Sequence, residues 1–165
     1  MVQNGLKPTV FFSNSNITPR DEYEIRKAEL IRYCESLGLE WVDDDYDHEE
    51  WLRQVGRGRE AEPERGSRCA ACFRFRLARA AAYASLYGFA VLTTTLASSR
   101  WKNLDQVNEA GEKACRELGP GAQVTWWPMN WRKGGLQPRR GELIRELGFY
   151  NQTFCGCEFS HPASE

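Results

Sequence analysis

The chain has 165 residues, of which 41% are hydrophobic and 27% charged, enough for one domain with a buried core and ordinary for a water-soluble globular protein. No apolar run reaches bilayer length, and Met1 to Lys7 lacks the basic-then-apolar order of a secretory leader, which excludes a membrane span and makes the cytoplasm the expected compartment. The net charge of −1 conceals segregation: acids gather from Asp43 to Asp47 and from Glu49 to Glu64, basic residues at Arg74, Arg76 and Arg79 and at Arg132, Lys133, Arg139 and Arg140. A basic face of that kind suits a polyanion, although solvated helix surfaces account for it equally well.

In chain order, Pro8 to Phe12 reads as a short strand ending in Ser13-Asn14-Ser15-Asn16-Ile17. Asp21, with Glu24 three residues on, reads as the capping box of a helix that Gly38 closes. Leu30, Cys34 and Leu37 fall at helical spacing, so Cys34 is expected in the core. A strand over Leu39 to Val42 leads into the acidic turn Asp43 to Asp47 and a small helix bearing Trp51 and Leu52.

Gly56 to Gly66 reads as a loop, and a helix is expected from Phe73 to Tyr87, with Phe73, Leu77, Ala80, Ala81 and Ala84 inward. Phe89 to Thr94 is β-branched and apolar. Leu104 to Leu118 is a helix with Val107, Ala110, Ala114 and Leu118 as its inner stripe and Cys115 beside it. A strand over Val124 to Trp127, a loop with Gly134-Gly135 and a helix over Arg139 to Leu147 complete the chain before Cys155-Gly156-Cys157. The alternation predicts a single α/β domain over residues 1–165, a three-layer sandwich on a mainly parallel sheet. Ligands gather beyond the carboxyl ends of such strands, where the loops at Asn14, Asp45, Thr94 and Met129 fall.

Of six cysteines, four are grouped. Cys69-Ala70-Ala71-Cys72 lies just before the predicted helix, where the helix N-terminus and the flanking Arg68 and Arg74 favour thiolates. A thioredoxin-like redox pair, half of a zinc site and half of an iron–sulfur site are all compatible with that spacing. Cys155-Gly156-Cys157 closes only into a small strained disulfide, which favours a labile redox pair; the competing reading makes both thiols ligands of a four-cysteine metal site with Cys69 and Cys72. His48 and His161 read as solvated. Asp45 is a candidate metal ligand in an otherwise solvated turn. Trp101, Trp126, Trp127 and Trp131 lie near basic residues and suit either base stacking or core packing.

The chain resembles the QueH family of epoxyqueuosine reductases along nearly its whole length. The residues that carry the resemblance are Phe12 to Ile17 with Pro19 and Glu22-Tyr23, Asp45-Tyr46-Asp47 with Trp51-Leu52, and Arg68 to Arg74 with Arg76-Leu77. Thr93 to Leu96, Lys133-Gly134-Gly135 and Tyr150-Asn151-Gln152 before Phe154 to Cys157 complete it. It implies reductive removal of the epoxide oxygen from epoxyqueuosine in tRNA, giving queuosine. It also implies a fold similar to the adenine nucleotide alpha hydrolase-like sandwich and a 4Fe-4S cluster with further iron nearby.

Carried over, Cys69 and Cys72 would be cluster ligands, and Cys155 and Cys157 the redox-active dithiol/disulfide pair. Arg74, Arg76, Lys133, Arg139 and Arg140 would grip tRNA, and an unidentified electron donor would be needed. The family's pattern opens with a strand and a C-C-x-P-C segment that has no counterpart in this sequence, so the two further cluster ligands are expected to be missing. Against this reductase stand a zinc-binding structural module, a catalytically inactive tRNA-binding remnant and a general thiol–disulfide oxidoreductase.

Overall fold

In a computed structural model of the chain, which describes residues 1–2 and 5–160, the protein is mixed α/β. Strand β1 (Val10–Phe12) leads through helix α1 (Arg20–Ser36) to β2 (Trp41–Asp43), and the two strands pair in parallel with Phe11 opposite Val42. Helix α2 (His48–Trp51) continues as a π turn, Leu52–Gly56, and a loop then reaches α3 (Ser67–Leu86). Strand β3 (Val91–Leu92), a 3-10 turn (Thr95–Ser98), α4 (Leu104–Arg116) and β4 (Thr125–Trp126) form a second parallel unit; α5 (Leu136–Glu146) follows. The strands thus form two separate two-stranded parallel sheets, β1–β2 and β3–β4. Both are β-helix-β units, the connection that parallel neighbours require.

Three apolar clusters hold these units together. The largest joins Phe73, Leu77 and Ala81 of α3 to Val107, Ala110 and Ala114 of α4, with Leu96 and Trp126 closing it. Both helices therefore bury the stripes read from the sequence, except that Leu118 and Ala80 are only partly buried. Gly111 lets α4 lie on the indole of Trp126: a Cβ there would sit 2.3 Å from the ring. The second cluster packs Trp51 and Val55 against Ala71, Cys72 and Cys157. The third packs Phe12, Ile17 and Tyr23 beneath α1.

Several boundaries differ from expectation. Helix α1 is capped by Pro19 with no side-chain hydrogen bond, and Asp21 lies inside its first turn, where a carboxylate favours the helix dipole without capping it. Cys34 is buried as expected, but Leu37 lies past the helix end and is exposed. Helix α3 starts at Ser67, so Cys69 and Cys72 lie within its first two turns rather than before it. Alanine, arginine and leucine are strong helix formers, and they carry the helix back to Gly66, the residue that precedes it.

His48 is not solvated. Its Nδ1 donates to the Ser15 carbonyl at 2.8 Å, its Nε2 stands 3.5 Å from Glu158, and its ring stacks between Tyr46 and Trp51. His161 lies outside the described residues. Among the described residues, no helix is long and apolar enough to cross a membrane.

Candidate functional site

The carboxyl ends of β1 and β2 face α3 through polar contacts. Asp44, buried just past β2, accepts from Arg79 at both carboxylate oxygens (2.6 Å each) and from Ser13 Oγ at 2.6 Å. Arg76, one turn earlier on α3, donates to the Ser13 carbonyl and to Asn14 Oδ1, both at 2.7 Å. These two arginines hold the loop after β1 against the helix that carries the first cysteine pair.

That anchoring forms a pocket lined by Trp51, Arg68, Cys69, Cys72, Phe73, Arg76, Lys102, Cys155 and Cys157. Cys69 and Cys72, three residues apart, share one face of α3. Each sulfur meets a donor: the Arg65 amide lies 3.3 Å from Cys69 Sγ, and Trp51 Nε1 lies 3.4 Å from Cys72 Sγ. Arg65 reaches Cys69 from a left-handed backbone conformation (φ 67°), held there by Gln106, which donates to its carbonyl. Burial pushes the Cys72 thiol upward, partly opposed by the positive charge of Arg76.

Cys155 and Cys157 enter from the far end of the chain. The Cys157 thiol hydrogen-bonds to Cys155, which is the main cause holding Cys155 well below the ordinary thiol range. Burial opposes that shift, and Lys102, with Nζ 3.1 Å from Cys155 Sγ, and Arg76 reinforce it. The same hydrogen bond, together with burial, pushes Cys157 upward. The pair therefore shares one proton, with Cys155 as the thiolate and Cys157 as the donor. Neither is in a disulfide.

The fold thus brings Cys69, Cys72, Cys155 and Cys157 to one pocket. Among the described residues, no three His, Cys, Asp or Glu side chains are grouped so that they could hold a metal ion. The donors aimed at Cys69 and Cys72 suit thiolate ligands. Cys69 and Cys72 could hold part of a metal or cluster site, and among the described residues no further ligands are grouped with them.

Asp45 is exposed and outside the pocket lining; its backbone carbonyl accepts from Ser15 Oγ at 3.3 Å. The arginines read as one group separate. Arg76 is tied inside the pocket, Arg74 is exposed on α3, and Arg139 pairs with Glu142 and Glu146. Lys133 and Arg140 are exposed. Arg68, expected to act on the thiols, is buried and gives its Nη1 to the carbonyls of Arg59 and Glu60. Trp126 is core, Trp127 and Trp131 are partly buried, and Trp101 is exposed.

Sequence reasoning missed Lys102 and Trp51 as site residues. Trp51 was legible as an aromatic on a small helix, but nothing local aimed its N–H at a cysteine twenty-one residues on. Cys34 and Cys115 take no part. Burial raises both thiols, and Cys115 packs against the main core.

Comparison with known proteins points to one family. A family model described as epoxyqueuosine reductase QueH matches residues 1–163. Three proteins that carry that name are similar to the chain. The one from Histophilus somni is 43% identical over 157 residues, which cover 95% of this chain and 63% of the relative. That from Haemophilus influenzae is 41% identical over 160 residues, covering 97% of this chain and 64% of the relative. That from Acinetobacter baylyi is 41% identical over 160 residues, covering 97% and 72%. The chain therefore spans somewhat less than two thirds of the first two relatives. With a family match over residues 1–163 and relatives 41–43% identical, the chain belongs to the QueH family of epoxyqueuosine reductases.

Proposed function

We propose that this chain acts in the reductive deoxygenation of epoxyqueuosine in tRNA to queuosine, with Cys155 and Cys157 as a redox-active dithiol/disulfide pair. The observation that carries the reading is the convergence of both cysteine pairs, with Lys102 and Arg76, on one pocket in a chain of this family. The balance is complete: an epoxide, two electrons and two protons give an alkene and water. Closing Cys155 and Cys157 to a disulfide supplies two electrons and the one proton the pair holds, and solvent supplies the second proton. An external electron donor then reduces the disulfide again.

Cys69 and Cys72 would be two ligands of a 4Fe-4S cluster, and Asp45 is a candidate ligand for a further iron. When bound, the cluster supplies an electron carrier and a Lewis acid. The chain's own residues hold the pocket for it. Trp51 and the Arg65 amide orient the two ligand sulfurs, and Arg76 and Lys102 place positive charge on the thiolate side.

The exposed Lys133, Arg140 and Arg74 contact the tRNA backbone, and Arg139 contributes once freed from its glutamates. A tRNA substrate puts the protein in the cytoplasm. The two parallel sheets are parts of a three-layer sandwich similar to the adenine nucleotide alpha hydrolase-like type.

The test is anaerobic purification followed by iron and acid-labile sulfide analysis, with conversion of epoxyqueuosine-bearing tRNA measured alongside. Bound iron and sulfide that disappear in Cys69→Ser, and conversion that disappears in Cys155→Ser, support the reading. Tightly bound zinc without iron, or full conversion by Cys155→Ser, would overturn it.

A further inference from the structure

The Cys155-Gly156-Cys157 turn belongs to no helix or strand. It is fastened instead to the N-terminal part of the chain, nearly the full sequence length away. The Thr18 amide donates to the Gly156 carbonyl at 2.8 Å. Arg26, on α1, donates from Nη1 to the Cys155 carbonyl and from Nη2 to the Phe154 carbonyl, each at 3.1 Å.

Arg26 is itself fixed. Its side chain is 6% exposed and that of Glu22 is 9%; Arg26 Nε donates to Glu22 Oε1 at 2.7 Å. Tyr150, just upstream of the cysteines, donates its hydroxyl to the other Glu22 oxygen at 2.8 Å. Glu22 thus compensates the buried charge, and the planar guanidinium uses its remaining donors on two successive carbonyls.

Gly156 completes the fit. Its φ is 96°, and a Cβ there would meet Arg26 Nη1 at 3.0 Å and Ile17 Cγ1 at 3.1 Å. Helix α1 therefore lies directly against the peptide that joins the two cysteines.

We propose that Arg26 is a positioning residue for the Cys155–Cys157 couple, holding the turn so that the two sulfurs remain side by side in the reduced state. The proposal rests on the reading of these cysteines as a redox pair. Oxidation joins Cys155 Sγ to Cys157 Sγ and releases two electrons and the pair's one proton, with a second proton drawn from solvent. A cyclic disulfide such as oxidised dithiothreitol takes them up and becomes the dithiol. Ring closure from a turn already ordered loses less conformational freedom than closure from a loose one, so the clamp raises the equilibrium constant for disulfide formation.

The experiment equilibrates the chain anaerobically in mixtures of reduced and oxidised dithiothreitol, quenches by alkylation, and reads the peptide containing residues 154–159 by mass. If the unsubstituted protein forms no Cys155–Cys157 disulfide at any ratio, the redox-pair reading itself fails. If it does, Arg26→Met is expected to lower the constant about tenfold, ~30 mV for a two-electron couple. Tyr150→Phe, which keeps Arg26 but loosens Glu22, is expected to lower it by a smaller factor, and it remains informative if Arg26→Met does not fold. Constants for the folded variants equal to or above that of the unsubstituted protein overturn the positioning role.

Discussion

Lys102 Nζ stands 3.1 Å from Cys155 Sγ, on the same sulfur that receives the hydrogen bond of the Cys157 thiol. Two donors on one partly buried sulfur make Cys155 the thiolate of the pair and leave Cys157 protonated. Iodoacetamide labelling followed across pH should therefore modify Cys155 before Cys157, with a midpoint below that of an ordinary thiol. Lys102→Met should move the midpoint upward by about one pH unit, a tenfold loss of thiolate below it. Labelling of both cysteines with one common, unshifted midpoint would contradict the assignment.

Gly111 is required where α4 crosses Trp126. A methyl group would overlap the indole at 2.3 to 2.4 Å, and the ring is buried in the main core. Gly111→Ala should destabilise the fold by roughly 1–3 kcal/mol, the usual cost of overpacking, despite the better helix propensity of alanine. A urea titration measures this, and an unchanged midpoint would show that β4 yields freely.

Asp44 is a buried carboxylate satisfied by Arg79 and Ser13. Removing the arginine leaves a charged acceptor short of donors, so Arg79→Met should cost about 1–3 kcal/mol. Asp44→Asn with Arg79→Met should recover part of that loss, because the remaining group is neutral. Additive losses in denaturant unfolding would show that the two residues act independently.

The tRNA reading separates the basic residues. Lys133 and Arg140 are exposed, whereas Arg139 is paired with two glutamates on its own helix. The double substitution Lys133→Glu with Arg140→Glu should weaken tRNA binding about tenfold or more at low salt, with the difference shrinking as salt rises. Arg139→Gln should weaken it less. Filter-binding or anisotropy titrations at several salt concentrations check both. Equal affinities for the double variant and the unsubstituted chain would move the tRNA surface elsewhere.

Local signals found the apolar stripes of α3 and α4 because those helices bury small and large apolar residues at regular spacing. They found both cysteine pairs because the thiols are close in sequence. They misplaced the start of α3, where the loop composition before Cys69 hid the first turns. Long-range partners were beyond them. Arg26 and Glu22, four residues apart on α1, carry no local sign that Phe154 and Cys155 will cover them. His48 was misread for the same reason: its partner, the Ser15 carbonyl, is brought to it by the packing of the β1 loop. Lys102 carried no signal beyond its charge.

The close seating of Gly156 on α1 bears on how the dithiol can be reused. A hexapeptide copied from residues 154–159 onto another scaffold would keep the cysteine spacing and lose the guanidinium, the Thr18 amide and the Ile17 wall that shape the turn. The transplantable unit is the dithiol turn together with the N-terminal half of α1 and the loop before it.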